Sequence, residues 1–139
     1  MRSFGWKIFL QAPIEIVFMA LSTDEGRKTF WAEKTIERDG SIDFVFPNGE
    51  THKAEILAKT TPVQLSIRYF GAITTFDLEG AAGGTTLALN VSETPEDDWL
   101  ESYAGWVSVL MNMKAVLDFG ADLRNHDPAK SWEQRFVDN

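Results

Sequence analysis

One long amphipathic helix is predicted by the stretch from Trp99 to Leu123, which reads WLESYAGWVSVLMNMKAVLDFGADL. Large apolar residues recur in it at alternating spacings of four and three residues, which places them along one face of a helix. These residues are Trp99, Tyr103, Trp106, Leu110, Met113 and Leu117. A helix of this length needs a broad apolar surface to pack against, so the rest of the chain should supply one.

The flanking residues indicate where this helix begins and ends. Pro95 precedes the stretch and Gly120 lies near its end, as is typical of a helix start and a helix stop. The predicted helix therefore runs from about Asp97 to Ala121. We expect its apolar face to be widened at the flanks by Val107, Met111 and Val116.

The first thirty residues predict one strand followed by two short helices. Apolar and polar residues alternate from Phe4 to Gln11, which is the period of a strand. Pro13 then changes the pattern, and the apolar residues from Ile14 to Leu21 have helical spacing. Thr23 is a suitable cap for a second short helix, which we expect to end near Trp31.

The residues between the short helices and the long helix predict six short strands. Turn-forming residues divide this region at Asp39-Gly40, Pro47-Asn48-Gly49, Thr61-Pro62, Gly71 and the loop Gly80 to Gly84. The predicted strands are Thr35–Arg38, Ser41–Phe46, Thr51–Lys59, Leu65–Tyr69, Ile73–Leu78 and Thr85–Val91. Consecutive short strands favour an antiparallel meander with one apolar face. This face is the surface that the long helix requires.

Composition and charge exclude several classes of function. At 139 residues the chain is expected to form a single domain, 1–139. The formal net charge of -8 argues against binding to nucleic acid or to an anionic membrane surface. No cysteine is present, and the two histidines form no metal-binding pattern, so we expect no disulfide, metal or cofactor. Without a signal peptide or a run long enough to cross a membrane, a cytoplasmic location is expected.

Several short motifs, taken in order, resemble the START-like (SRPBCC, helix-grip) superfamily. They are Ala12-Pro13 with Val17-Phe18 and Ala20-Leu21 after the first strand, then Trp31, then Phe46-Pro47-Asn48-Gly49. Gly83-Gly84-Thr85, Gly105-Trp106 and the tail from Asp118 to Pro128 are similar to the family named after the activator of Hsp90 ATPase homologue 1, in its stand-alone bacterial form. The resemblance implies an α+β fold, in which a curved antiparallel sheet wraps around the C-terminal helix and encloses an apolar cavity.

This resemblance leads us to expect a small hydrophobic or aromatic ligand in an internal cavity, with no defined catalysis. The residues predicted to line the cavity are Trp31, Phe44, Phe46, Tyr69, Phe76, Trp106, Leu110, Met113 and Leu117. Tyr69 would supply a polar group among apolar walls. The alternative is that these side chains simply fill a solid core, which is the usual fate of large aromatic residues.

Two further functions remain open. The first is an enzyme of the cyclase, aromatase or hydrolase type that uses the same cavity, although we assign no catalytic residue. The second is a chaperone-related protein-interaction module. Chaperone-activating members of the family carry an additional N-terminal domain, whereas only eleven residues precede Ala12 here, so a chaperone partner is the weaker expectation. A homodimer is a further alternative.

The segment from Arg124 to Pro128 places four polar side chains together directly after the predicted helix end. In a functional interpretation, His126 is a general base oriented by Asp127. In a structural interpretation, which we favour, the segment is a capping network that folds Trp132 and Phe136 back onto the domain. Adjacent residues in an irregular segment seldom both point into one cleft.

Overall fold

The computed structural model describes all residues from Met1 to Asn139 and contains one sheet, two short helices and one long helix. Strands β1 to β7 span Arg2–Leu10, Lys34–Arg38, Ser41–Val45, Thr51–Thr60, Gln64–Tyr69, Ala72–Ala81 and Gly84–Thr94. Helices α1 to α3 span Ile14–Ser22, Asp24–Lys28 and Trp99–Phe119, and a 3-10 turn spans Trp132–Gln134. The predicted order of a strand, two short helices, six strands and a long helix is confirmed.

The seven strands form one antiparallel sheet in the order β1-β7-β6-β5-β4-β3-β2. Strands β2 to β7 are therefore a continuous meander, and β1 pairs with β7 at one edge. Alternate side chains of β1 and of β3 to β7 enter a common core, as the period-two pattern predicted. The predicted α+β fold class is confirmed.

The hairpin between β6 and β7 corrects one predicted loop. Residues Gly80 to Gly84 were expected to form a loop, but Ala81 pairs directly with Gly84 and both strands continue to this point. The turn needs only Ala82 and Gly83, because Gly83 adopts a positive φ of 81° that suits a tight turn.

The two short helices meet at a sharp bend. The Thr23 hydroxyl accepts a hydrogen bond from the Gly26 amide at 3.0 Å, which confirms the predicted cap. A Cβ atom on Gly26 would lie 2.5 Å from the Met19 carbonyl oxygen, so only glycine allows α2 to approach α1 this closely. Helix α2 ends at Lys28, earlier than predicted, and Trp31 lies in the turn that follows it.

Helix α3 is two residues shorter at each end than predicted, and Gly120 ends it in the left-handed conformation. Trp106, Leu110 and Met113 are buried on its core face. The prediction for the flanks was wrong for Val107 and Met111, whose side chains are 40% and 51% exposed. The core lies along the other flank of the helix, where the partly buried residues are Val109 and Val116. No helix is both long enough and apolar enough to span a membrane.

Polar contacts hold the C-terminal half of α3 against the edge strand β1. Lys114 Nζ donates to the Phe9 carbonyl oxygen at 2.7 Å and forms an ion pair with Asp118 at 2.8 Å. Asp118 also accepts a hydrogen bond from the Gln11 amide at 2.9 Å. These contacts give partners to backbone groups at the end of an edge strand, which otherwise lack them.

A fully buried arginine connects the short helices to the sheet. Arg27 has no exposed side-chain surface. Its guanidinium donates to the Thr35 hydroxyl at 3.0 Å, the Leu21 carbonyl at 3.1 Å and the Asp24 carboxylate at 2.6 Å. Asp24 also accepts from the Glu37 amide at 2.9 Å, so a single network joins α1, α2 and β2. Burying this charge is tolerated because every part of the guanidinium has a partner.

Replacing this arginine should destabilise the fold. Arg27→Met keeps most of the buried volume but removes the hydrogen bonds that the guanidinium donates to the Leu21 carbonyl, Thr35 and Asp24. We expect the free energy of unfolding to fall by roughly 2–4 kcal/mol. Arg38→Met, at the exposed end of β2, is the control and should change it by less than about 0.5 kcal/mol. Equal free energies of unfolding for Arg27→Met and Arg38→Met in denaturant melts would contradict this account.

Candidate functional site

Five aromatic rings meet between the sheet and α3, with Trp31 at their centre. The Trp31 ring centroid lies 4.9 Å from Phe44, 5.5 Å from both Tyr69 and Trp106, and 5.6 Å from Phe76. The rings are tilted or edge-on to Trp31, which is the favoured arrangement for aromatic pairs. All five residues belong to the predicted cavity wall, and the structure brings them together as one cluster.

The aromatic cluster continues to the protein surface through a rim of three residues, Phe46, His52 and Phe70. Phe46 stacks on Phe44 with the two ring planes 11° apart, and its centroid is 5.9 Å from that of Phe70. Phe70 stacks on His52 at 4.0 Å and is 56% exposed. A continuous path of ring contacts therefore runs from solvent to Trp31.

His52 holds the rim in place when its ring is neutral. Its Nε2 atom accepts a hydrogen bond from the Phe70 amide at 3.0 Å, which requires that nitrogen to be unprotonated. Burial lowers the pKa of His52 below its usual value, so the neutral ring is favoured. Phe70 itself has a φ of 47°, which is uncommon for a residue with a large side chain.

Inside the aromatic cluster, the polar contact is between Trp31 and Tyr69. Trp31 Nε1 donates a hydrogen bond to the Tyr69 hydroxyl oxygen at 3.2 Å. Burial raises the pKa of Tyr69 well above its usual value, although the Trp31 hydrogen bond opposes this. The hydroxyl therefore keeps its proton at neutral pH and can donate a hydrogen bond.

The remaining predicted lining residues lie farther along α3. Leu110 and Met113 are buried and Leu117 is half-buried, on the same helix face as Trp106. At ~1.5 Å per residue, Leu117 is about 16 Å from Trp106 along the helix axis. These three residues extend the apolar wall from Trp106 towards the end of α3, and Leu117 is the farthest of them from the five-ring cluster.

Two open clefts lie elsewhere on the molecule. One, of about 520 Å³, lies on the polar face of the sheet and is lined by Lys7, Gln64, Asp77, Glu79 and Thr86, among others. The second, of about 470 Å³, lies between the ends of α2 and α3 and is lined by Lys28, Glu33, Asp122, Arg124 and His126, among others. Neither cleft is lined by a residue of the predicted cavity.

The C-terminal segment forms the network expected from the structural interpretation. Arg124 is buried and donates to the carbonyl oxygens of Ala32 at 3.0 Å and Lys28 at 2.9 Å, and its guanidinium also pairs with Asp122. These contacts fasten the tail to the turn that carries Trp31. Trp132 folds back and donates to Glu101 at 2.9 Å, whereas Phe136 remains 38% exposed.

The partners of His126 differ from the functional interpretation. Its Nδ1 atom contacts Glu33 and its Nε2 atom lies 2.6 Å from Asp122. Asp127 instead accepts a hydrogen bond from the Ala129 amide at 2.9 Å, so it does not orient His126. Hydrogen bonds to Asp122 and Glu33 raise the pKa of His126. Burial acts to raise the pKa of Asp122, but hydrogen bonds from Arg124 and His126 outweigh it and lower that pKa to about 2.

Two of the residues that position the cluster, Arg27 and His52, were not predicted from the sequence. The buried role of Arg27 was not predicted, although Asp24 three residues earlier could have suggested a helical ion pair. His52 was considered only as a metal ligand, and nothing in its local sequence indicates that it stacks on Phe70. The contact partners of Arg124 were also unpredicted, because Ala32 is 92 residues away along the chain.

Comparison with known proteins identifies the fold. No protein-family model matches the chain, and no curated protein matches its sequence. Among solved structures, a protein from Staphylococcus saprophyticus has 21% sequence identity and a TM-score of 0.79, covering 88% of this chain and 96% of that one. The Aha1 dimer from Colwellia psychrerythraea, solved in solution, has 22% identity and a TM-score of 0.78, covering 86% and 98% respectively.

A third similar structure is DynU16, from the dynemicin biosynthetic locus. It has 19% identity and a TM-score of 0.74, and the match covers 85% of this chain and 48% of DynU16. The similar structures and the topology together show a helix-grip fold, in which an antiparallel sheet wraps around a long C-terminal helix. At these identities the likeness concerns the fold alone.

The raised pKa of His126 predicts that its contribution to stability depends on pH. A raised folded-state pKa gives stability that is complete below the unfolded value of about 6.5 and is lost as pH rises through the folded value. Because the side chain is 38% exposed, we expect His126→Ala to lower the free energy of unfolding by only about 0.5–1 kcal/mol at pH 5.5 and by much less at pH 9.

His52 provides a control, because the pH dependence of its contribution to stability has the opposite sign. The lowered pKa of His52 means that its contribution is complete above about pH 6.5 and is lost as pH falls below that value. Denaturant melts of His52→Ala should therefore show the larger loss at pH 9. A His126→Ala variant whose loss is the same at both pH values would contradict the assigned ion pairs.

Proposed function

We propose that this helix-grip protein binds a small, apolar or aromatic molecule at the aromatic cluster between the sheet and α3. The observation that carries the proposal is the continuous path of rings from the exposed Phe70 to the buried Trp31. A core that only stabilised the fold would have no need to extend aromatic side chains to the surface, where they lose part of their burial energy.

The chemistry of the cluster supports binding over catalysis. Its polar groups are the indole N–H groups of Trp31 and Trp106 and the Tyr69 hydroxyl, and the raised pKa of Tyr69 keeps that hydroxyl protonated. A protonated phenol and an indole can donate hydrogen bonds, but neither is a general base at neutral pH. The cyclase, aromatase or hydrolase alternative would require a base to be supplied by the ligand or by another residue.

The aromatic rim is the part of the site that can adapt to a ligand. Phe46 is half-buried and Phe70 is exposed, so both side chains can move without opening the buried rings of Phe44 and Trp31. A ligand that enters here would replace the contact between Phe46 and Phe70 and would lie against Phe44 and Tyr69. Such a site need not be open in the absence of the ligand.

A charge at the rim should weaken the binding of a neutral apolar probe. We expect N-phenyl-1-naphthylamine to bind the wild-type protein, and Phe46→Glu to weaken binding at least tenfold, about 1.4 kcal/mol, because the carboxylate would lose solvent on binding. Phe9→Glu is the matched control. Phe9 is exposed on β1 and pairs with Thr86, which lines the cleft on the polar face of the sheet.

Fluorescence titration of the two variants distinguishes the sites. Weaker probe binding in Phe46→Glu alone supports the aromatic cluster as the binding site. Weaker probe binding in Phe9→Glu alone would instead assign the binding site to the polar face of the sheet. A wild-type protein that binds no probe, and that carries no co-purified small molecule in native mass spectrometry, would refute the proposal.

The outer face of α3 supports a second proposal, that two copies of the chain associate. No charged residue occurs between Glu101 and Lys114, although Ala104, Val107 and Met111 in this stretch are exposed. Leu100, Val107 and Met111 are 65%, 40% and 51% exposed, and with the exposed Ala104 they form an apolar stripe. Helix surfaces that face water usually carry charged residues, so this stripe is suited to an interface.

The apolar stripe is complementary to itself. If two α3 helices crossed in antiparallel orientation with a twofold axis near Gly105, Leu100 would oppose Met111 and Ala104 would oppose Val107. A twofold interface requires such reciprocal pairing. The similar structure from Colwellia psychrerythraea is a dimer, which supports the proposal and, with the sequence motifs, a relationship to the family of Hsp90 ATPase activator homologues.

Sedimentation velocity tests the association. We expect the wild-type chain to dimerise in the micromolar range and Val107→Glu to be monomeric, because a buried unpaired carboxylate is costly. Ile16→Glu places the same charge on the exposed face of α1 and should leave the dimer intact. A wild-type protein that is monomeric at every concentration tested would contradict this proposal. If that monomer stimulated a chaperone ATPase, the chaperone-related alternative would be favoured.

A further inference from the structure

The Tyr69 hydroxyl has an unused hydrogen-bond donor. Trp31 Nε1 can only donate, so in the contact between the two residues Tyr69 is the acceptor. The hydroxyl hydrogen of Tyr69 is left free, and it is donated to no protein atom. Tyr69 is half-buried at the outer side of the aromatic cluster, so this hydroxyl hydrogen is available to a ligand that lies against the ring.

The groups around Tyr69 indicate what kind of acceptor could use this donor. The neighbouring rings are Trp31 at 5.5 Å, Phe44 at 5.3 Å and Trp106 at 5.6 Å, all tilted or edge-on relative to Tyr69. Such walls favour a planar aromatic molecule over a flexible chain. The titratable neighbour is His52, 5.5 Å away in an edge-on contact, and its lowered pKa keeps it neutral.

A neutral ligand fits these surroundings better than an ion. No aromatic residue of the cluster carries a formal charge, and an ionised ligand would lose its hydration without gaining a counter-charge. We propose that the Tyr69 hydroxyl is the hydrogen-bond donor that selects a neutral, planar aromatic ligand carrying an acceptor oxygen, such as a carbonyl. This inference rests on the proposed ligand-binding function and specifies the ligand class for the same site.

Trp31 has a positioning role in this recognition. Its indole N–H occupies one acceptor site of the Tyr69 oxygen, so the hydroxyl hydrogen must point in another direction. The backbone of Trp31 is itself held, because its amide donates to the Arg27 carbonyl at 2.8 Å. One direction is therefore closed to the hydroxyl hydrogen before any ligand binds.

The inference is tested with two compounds of the same shape, 9-fluorenone and fluorene, which differ in one carbonyl group. Tyr69→Phe removes only the hydroxyl and should weaken the binding of fluorenone about threefold to tenfold, the effect of one hydrogen bond. The binding of fluorene should change by less than about twofold. Tyr103→Phe, at the other tyrosine of the chain, is the matched control and should alter neither affinity.

Equilibrium dialysis of both compounds with the three proteins gives separate outcomes. Equal effects of Tyr69→Phe on fluorenone and fluorene, or no effect on either, would overturn the role of Tyr69 and leave the ligand-binding proposal standing. Failure of the wild-type protein to bind either compound would overturn both.

A second measurement does not depend on the folding of Tyr69→Phe. The carbonyl stretching frequency of fluorenone bound to the wild-type protein should be lower than in an apolar solvent, because a hydrogen bond weakens the carbonyl bond. A bound frequency equal to that in apolar solvent would show that no donor reaches the carbonyl and would refute the inference.

Discussion

The position of Trp31 is the constraint on which the aromatic cluster depends. Its indole contacts rings from β3, β5, β6 and α3, so it joins the sheet to the long helix. An indole can make all of these contacts only from one position. Because Trp31 lies outside regular secondary structure, other contacts must hold it there.

Two buried arginines hold the residues around Trp31 in place. Arg27 anchors the short helices to β2, and Arg124 binds the carbonyl oxygens of Lys28 and Ala32 on either side of Trp31.

The structure thus separates polar anchoring from apolar contact. The charged networks of Arg27 and Arg124 lie around the turn that carries Trp31, where their hydrogen bonds are satisfied by backbone carbonyls and carboxylates. The aromatic cluster has its single internal hydrogen bond between Trp31 and Tyr69. An apolar environment of this kind strengthens any further hydrogen bond made inside it, which is why one unused hydroxyl donor can matter for specificity.

Local sequence patterns were sufficient to predict the order of the elements but not the contacts between distant ones. The four-and-three spacing located α3 to within two residues, and Asp39-Gly40 and Thr23 marked a turn and a helix cap correctly. The exposure of Val107 and Met111 was missed because periodicity identifies a helix face but does not show how far the core extends on each side of it.

In the candidate site, too, local patterns predict which residues share a face but not which distant residues meet. Its aromatic residues on the strands and on α3 could be predicted from alternation, because alternation determines which side chains share a face, whereas Trp31 lies in a turn and was predicted through the family resemblance. The meeting of His52 with Phe70 depends on how β4 aligns with the β5–β6 hairpin, and the contact of His126 with Glu33 joins residues 93 positions apart. The free donor of Tyr69 depends on a single distance and on the direction of one hydrogen bond, which no sequence pattern specifies.

The central claim is that a ligand binds at the aromatic cluster, and the indole N–H signals of the five tryptophans test it most directly. In a two-dimensional ¹H–¹⁵N NMR titration with 9-fluorenone, the account predicts large shifts for the Trp31 and Trp106 indole signals and small ones for Trp99 and Trp132. Shifts confined to backbone amides around Lys7, Asp77 and Thr86, with the Trp31 signal unchanged, would place the ligand on the polar face of the sheet and contradict the account.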